Sequence, residues 1–295
     1  MDTQRTQSIT VWSDLLENYR LLDSGNRQKL ETIGGITIVR SEPRAWWKPA
    51  LTASEWNKAT AYYGTEDHGR WVFTRPMPEP FSVSMRGLTI SVKCTKTSKH
   101  IGIFPEQVGA WERIEQTIRG AGRPLTMLNL FGYTGLATLS AARAGAAVTH
   151  VDASKTALGW ARENQALSGL EKAPIRWILD DATKFVKREV ARGVGYDAIV
   201  MDPPAYGRGH QGQVWKIEED LPVLLEQCRA VLSPNPVFVM LTTYAIESSS
   251  LSLGNLLGDM MKDYRGVVTA GELALPHESS GKLLPLSIFA MWEKK

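Results

Sequence analysis

Beyond Gly122 the chain alternates short apolar runs with amphipathic stretches, and this alternation constrains its fold more than any other feature. Leu125 to Phe131, Ala147 to Asp152, Ile175 to Leu179, Tyr196 to Met201 and Pro236 to Leu241 read as strands, the first and the fourth of them buried. Gly135 to Ala144, Ser154 to Leu167, Leu221 to Leu232 and Gly254 to Tyr264 read as helices, with Ser154 placed as an N-cap. Strands at Val267 to Ala270 and Leu286 to Trp292 bring the expected count to seven. Repeated βαβ units predict an α/β fold with a doubly wound, mostly parallel sheet. Such sheets bind ligands beyond the carboxyl ends of their strands, near the topological switch point. The acidic loops at 152, 180–181 and 202 all follow predicted strands.

The first 120 residues follow a different pattern. Gly35 to Val39 and Leu88 to Val92 alternate like strands, and the Trp-, Pro- and Gly-rich stretch between them, Arg75 to Pro80 included, reads as loop or edge. Glu106 to Arg119 has helical spacing and stops at Gly120-Ala121-Gly122. We therefore expect a smaller β-rich N-terminal domain over 1–120, for substrate binding or cover, and a larger domain over 121–295. The front part holds 16 Lys and Arg against 13 Asp and Glu; the rest holds 18 of each, so the net charge of +3 lies wholly in the front. Six of the 10 tryptophans lie there too: Trp12, Trp46, Trp47, Trp56, Trp71 and Trp111. They suit core packing, or a basic aromatic surface that stacks on nucleic-acid bases. No apolar run approaches the roughly 18–20 residues that span a bilayer, and no secretory leader is visible, so we expect no membrane partner. Cys94 and Cys228 stand far apart, without metal-ligand spacing, which fits a reducing compartment such as the cytoplasm and no metal site.

Two stretches carry chemistry. Asn129-Leu130-Phe131-Gly132-Tyr133-Thr134-Gly135 places a glycine turn between the first strand of the larger domain and its helix. It is not G-x-G-x-x-G, and Phe131 and Tyr133 crowd the place of a pyrophosphate. This argues against a dinucleotide and for a smaller cationic cofactor such as S-adenosylmethionine (SAM). Asp152, followed by Ala153 and Ser154, is placed to accept from ribose hydroxyls. Asp181 is placed to accept from an adenine amino group, and the Ala182 amide to donate to its ring; either carboxylate could instead cap a turn or helix. The second stretch is Asp202-Pro203-Pro204-Ala205-Tyr206. Two prolines fix a rigid turn. The carbonyls of Asp202 and Pro203, with the Asp202 carboxylate, are expected to face a pocket, and Tyr206 to offer an aromatic face to a planar target. Acceptors on an amine's hydrogens localise its lone pair for in-line methyl transfer. The segment continuing to Trp215 reads as a substrate lid, with Arg208 on phosphate, while His68 and His210 suit surface as well as catalytic roles.

From about His100 to Lys295 the chain resembles the class I SAM-dependent methyltransferases, and more narrowly the bacterial 23S ribosomal RNA methyltransferase group. The group's F-x-Y-T-G turn reads Phe131 to Gly135, its D-D-V/A reads Asp180-Asp181-Ala182, and its D-P-P-x-F/Y reads Asp202 to Tyr206. A further G-x-F/Y-L-D-Q-R segment reads Gly102 to Val108, containing Phe104 and lacking the final Arg. The resemblance implies a Rossmann-like fold, SAM as cofactor, a role for Phe104 at the cofactor site, and a nucleobase in RNA, ribosomal above all, as acceptor. Cytosine-C5 members of the group carry a Cys after strand five; here Leu241-Thr242-Thr243-Tyr244 has none, which points to a ring or exocyclic nitrogen. The opening of the chain does not match the compact RNA-binding module of many members. Other readings are methyl transfer to a protein side-chain amide, a non-catalytic SAM-binding protein, and a nucleotide-dependent oxidoreductase, which the missing G-x-G-x-x-G disfavours.

Overall fold

The computed structural model describes residues 7–12, 16–64, 69–78, 80–96, 98–208, 214–244 and 246–295, without the side chains of 7–12 and 208. Packing divides the chain into two compact units, residues 1–11, 109–273 and 287–295 in the larger and 12–108 and 274–286 in the smaller. The single boundary expected at residue 120 is contiguous, whereas these units are not. Two long strands near the C-terminus carry the chain from the larger unit into the smaller and back.

After β1 (Gln7–Trp12), the smaller unit builds β2 (Tyr19–Gly25), β3 (Gln28–Ile33), β4 (Ile36–Ser41), the short helix α1 (Ala53–Trp56), β5 (Ala61–Gly64) and β6 (Arg70–Phe73). These strands form one sheet in chain order. Only β4 and β5 pair in parallel, and α1 lies in the crossover between them. Gly34 and Gly35 both take positive φ (56° and 82°) in the two-residue turn from β3 to β4, the conformation whose twist matches a hairpin. A separate hairpin joins β7 (Phe81–Met85) to β8 (Leu88–Val92). The stretch read as loop therefore contains four elements, α1 and β5 to β7. Their runs are only four or five residues long, too short to show a period against so many prolines and glycines.

One face of the smaller sheet buries Leu30, Val39, Trp56 and Ala59. The Trp56 indole donates to Asp23 Oδ2 (3.1 Å) and the Trp47 indole to the Ser24 carbonyl (2.9 Å). Glu31 is buried and accepts Arg40 through both oxygens (2.7 and 2.8 Å), with the Tyr19 hydroxyl at 2.7 Å. Buried Lys29 also pairs with Glu31 (3.3 Å), so one carboxylate ties two cations together in this sheet, and removing it would leave both buried without their acid. Trp56 and Trp111 are core residues, whereas Trp46 is 81% exposed.

The larger unit follows with α2 (Val108–Gly120), β9 (Thr126–Leu130), α3 (Leu136–Arg143), β10 (Ala147–Asp152), α4 (Lys155–Leu167), β11 (Ile175–Leu179), α5 (Ala182–Arg192) and β12 (Ala198–Met201). A small hairpin, β13 (Tyr206–Arg208) and β14 (Val214–Lys216), precedes α6 (Ile217–Ala230), β15 (Phe238–Tyr244), α7 (Ser250–Met260), β16 (Gly266–Pro276) and β17 (Leu283–Lys294). The sheet order is β1-β16-β17-β15-β12-β9-β10-β11. It holds the seven expected strands with β1 added at one edge. Strands β11, β10, β9, β12 and β15 run in parallel, and β17 opposes β15. The chain winds outward from β9 through β10 to β11, then returns to β12 on the other side of β9, so the switch point lies between β9 and β12. Separate apolar clusters gather Leu128 and Leu130, and Met127 and Val148, as alternation on a strand requires.

Three helices differ from expectation. α5 was not anticipated: its buried stripe of Ala182, Phe185 and Val186 ends on Glu189, a charge that hides the period. Glu189 is fully buried and accepts from the Tyr196 hydroxyl (2.7 Å) and Arg192 (3.0 Å). α6 starts four residues before the expected Leu221, with Asp220 accepting from the Lys216 amide (2.7 Å) at its start and Pro222 inside it. α7 is set back likewise, because Ser249 caps it. Among the described residues, no helix is long and apolar enough to cross a membrane.

Candidate active site

Parallel register aligns the strand ends. Leu130 of β9 lies beside Val151 of β10 and Met201 of β12. The residues that follow, Phe131, Asp152 and Asp202, therefore emerge together at the switch point. Backbone bonds keep them there: the Gly132 amide donates to the Val151 carbonyl (3.2 Å), the Asp202 amide to Leu130 (3.4 Å) and the Asp180 amide to Asp152 (3.1 Å).

The turn from β9 to α3 is unusual backbone. Phe131 (φ 56°) and Tyr133 (φ 48°) are left-handed non-glycine residues, and Gly135 (φ 84°) caps the helix. Such residues persist only where surroundings over-determine them. The Tyr133 amide donates to Asp152 Oδ2 (2.8 Å), and Asn164 from α4 donates its Nδ2 to the Thr134 carbonyl (2.9 Å). The Phe131 ring sits 5.0 Å from Trp215 and the Tyr133 ring 6.1 Å from Trp160. Under the turn lies His150, fully buried, with Nδ1 2.9 Å from the Thr138 hydroxyl and its ring 4.6 Å from Trp177. Burial pushes its pKa down to about 3, so the imidazole is neutral. A Cβ on Gly132 would come within 2.3 Å of that ring. Asn129 is buried and donates to Thr138 (2.8 Å), so its amide joins the layer beneath the turn.

Asp152 accepts the Tyr133 amide on one oxygen and the Ser154 amide (2.8 Å) on the other. Burial holds its carboxyl above the usual range despite both donors. Each oxygen keeps a second lone pair for a ligand hydroxyl. Ala153 is half-buried, and Ser154 is exposed and caps α4 through Ala157 (3.2 Å). Asp181 caps α5, with Oδ1 accepting from the Lys184 amide (2.9 Å). Ala182 is the first residue of that helix, where an amide has no intrahelical acceptor. Phe104 belongs to the smaller unit, where its ring lies 5.0 Å from His100.

At the second stretch, β15 supplies what sequence reasoning missed. Met201 pairs with Leu241, so Thr242 and Thr243 run beside Asp202 and Pro203. The Thr242 hydroxyl donates to Asp202 Oδ1 (2.8 Å), and the Thr243 hydroxyl to the Pro203 carbonyl (3.3 Å). The Trp215 indole donates to the Pro204 carbonyl (2.7 Å). Trp215 thus touches both turns, and Tyr206 stands 53% exposed on β13 opposite Lys216. The lid expected over 202–215 is in part the β13–β14 hairpin; Gly209 to Gln213 with His210, His68, and the Arg208 side chain lie outside the described residues. Cys228 and Cys94 are buried, and burial raises the Cys228 thiol, so neither serves as a nucleophile here.

Burial pushes the Asp202 carboxyl up to about 6, against the Thr242 hydroxyl bond, which favours its charge. Below that pH it is protonated and no longer accepts fully from an amine. A reaction that draws on the charged Asp202 carboxylate is therefore expected to fall with unit slope as pH drops through about 6, as a rate profile at saturating substrates would read. The sign for stability is opposite. An unfolded aspartate releases its proton near pH 3.9, so ionising Asp202 costs the fold stability as pH climbs from about 4 to 6, and the cost persists above. Asp202→Asn should thus raise Tm at pH 8 and have little effect at pH 4; calorimetry at both values tests this.

No protein-family model matches the chain. A SAM-dependent methyltransferase of Agrobacterium tumefaciens, solved by crystallography, is 42% identical over 99% of this chain and 98% of its own, with a TM-score of 0.92. A Streptococcus mutans structure shares the fold at 17% identity and a TM-score of 0.72 over 94% of this chain and 75% of its own. Ribosomal RNA large subunit methyltransferase K/L of Shewanella frigidimarina is 37% identical over 111 residues, 37% of this chain and 15% of that protein. Methyltransferase K of the same series, from Neisseria meningitidis serogroup B, is 26% identical over 65% of this chain and 50% of its own length. The chain thus spans between about a sixth and half of these curated relatives. It belongs to the family of SAM-dependent methyltransferases. The strand ends fit that cofactor: Phe131 and Tyr133 leave no run of glycine amides for a pyrophosphate, while the half-buried Asp152 and Asp202 carboxylates suit ribose hydroxyls and a sulfonium.

Proposed function

We propose that the chain methylates a nucleobase nitrogen in RNA, ribosomal RNA above all, in the cytoplasm. The observation that carries this reading is the Asp202-Pro203-Pro204 turn beside the cofactor turn, its carboxylate held by Thr242 and an exposed Tyr206 following. SAM, when bound, supplies an electrophilic methyl group on a sulfonium. Phe131, Gly132, Thr134, Gly135, Asp152, Ala153, Ser154, Asp181, Ala182 and Asp202 would hold it, with Asn129 supporting the turn from beneath. Asp202 accepts from the target amine and keeps its lone pair in line, with Pro203 and Pro204 fixing the angle and Tyr206 stacking on the base. The relatives named as ribosomal RNA large subunit methyltransferases support the acceptor. The buried cysteines and the Thr242-Thr243 pair favour nitrogen over the covalent route to carbon. The smaller unit would bind substrate.

Labelled methyl incorporation with purified chain, protein-free 23S ribosomal RNA and a protein extract tests this reading. Label in the RNA is expected. Label confined to protein would establish the side-chain amide reading instead.

A further inference from the structure

The smaller unit carries an aromatic platform that the transfer site does not use. Strand β6 is the last strand of its sheet. Trp71 and Phe73, two residues apart, project from the same face. Their rings are stacked at 6.5 Å with planes 25° apart, and Tyr63 meets Trp71 edge-on at 5.4 Å. Phe73 is 44% exposed, well above what a core aromatic shows. The Trp71 indole donates to the Ser98 carbonyl (3.0 Å), which ties the lysine-bearing segment around Lys96 to the platform.

Charge points the same way. Arg70 and Arg75 flank the two aromatics in sequence, and both are exposed, as is Lys96. From the β5–β6 connection onward, residues 65–104 contain six Lys and Arg against three acids, Glu66, Asp67 and Glu79, a surplus equal to the chain's net +3. Near-parallel rings offer π-faces to bases, and cations beside them meet phosphates, the combination that holds single strands without reading sequence. An acidic protein would use the cations but leave the paired rings unexplained.

We propose that the Trp71–Phe73 platform, flanked by Arg70, Arg75 and Lys96, binds a single-stranded stretch of the RNA acceptor, with bases on the rings and phosphates on the cations. The acceptor's identity rests on the function proposed above; the single-strand site does not.

Fluorescence anisotropy of the full chain with a fluorescein-labelled twelve-nucleotide polyuridylate tests it, with labelled polyglutamate as the comparison. Phe73→Ala and Phe73→Leu should each weaken RNA binding about tenfold, since leucine restores bulk but not stacking. Arg75→Glu with Lys96→Glu should weaken it at least as much and lower the slope of log K against log salt by about 1.4, roughly 0.7 per lost phosphate contact on a single strand. Tm and the far-ultraviolet circular dichroism spectrum should stay unchanged, which excludes misfolding of the smaller unit. Unchanged RNA binding in both sets, polyglutamate binding as tight as RNA, or no binding by the wild-type chain would overturn the proposal. Platform-dependent RNA binding with label found only on protein would uphold the single-strand site and overturn the acceptor reading. Ribosomal RNA methylation with the same KM in wild type and variants would do the reverse.

Discussion

Asp202→Ala is expected to lower kcat for methyl transfer by about 10³-fold while changing SAM affinity less than tenfold. The carboxylate stands at the end of β12, beside the first residue of the cofactor turn, and is held there by Thr242. A lost acceptor removes both the alignment of the target amine and the localisation of its lone pair. Misplacement of about 1 Å can cost 10²-fold, and a missing proton acceptor about 10²–10⁴-fold. Single-turnover kinetics at saturating SAM and acceptor read the effect without product release. Asp202→Asn should retain part of the rate, because its carbonyl oxygen still accepts, and should lose the acid limb near pH 6. A full rate in Asp202→Ala would remove this residue from the chemistry.

Gly132→Ala is expected to abolish SAM binding, with at least a hundredfold loss of affinity by calorimetry, and to lower Tm. An added Cβ would meet His150 Cε1 at 2.3 Å, Nδ1 at 2.5 Å and Nε2 at 2.9 Å. The ring has little room to yield, since it is fully buried, hydrogen-bonded to Thr138 and packed on Trp177. Overpacking of this kind costs about 1–3 kcal/mol in a core. Here the displacement would fall on the turn that holds Phe131 and Tyr133 at positive φ. Adding His150→Ala to Gly132→Ala should recover part of both losses, because the two changes share one contact. A Gly132→Ala chain that binds SAM normally would show that the turn does not need this close approach.

The doubly wound sheet was legible because strands buried in a sheet are rich in apolar residues, and the seven after Gly122, five of them parallel, stood out as short apolar-rich runs. The motif turns were legible for a related reason. Gly132, Asp152 and Asp202 interrupt or end those runs where apolar residues would otherwise continue. What holds the turns in place was not legible. Asn164 looks like any polar residue on a helix, yet it reaches the Thr134 carbonyl across 30 residues of sequence. Thr242 and Thr243 look like ordinary strand residues until β15 is set in register with β12. Trp215 is 11 residues from the Pro204 carbonyl it bonds, across a hairpin no local pattern announced. Asp152 and Asp181 show the complementary difficulty: a carboxylate after a strand can bond its own backbone and still keep a lone pair for a ligand. The front part resisted reading because buried charges, Asp23, Glu31 and Arg40, break the apolar pattern of β2, β3 and β4. Its parallel β4–β5 pair also depends on a four-residue helix in the crossover.

Transfer to a base nitrogen through the Asp202 turn is tested most directly by mass mapping. Protein-free 23S ribosomal RNA is methylated by the full chain with labelled SAM, digested to nucleosides and resolved by mass spectrometry. Label is expected on a ring or exocyclic nitrogen of one nucleoside, reduced about 10³-fold in a matched Asp202→Ala reaction. Label on cytosine C5 or a ribose oxygen, or equal labelling by Asp202→Ala, would contradict it.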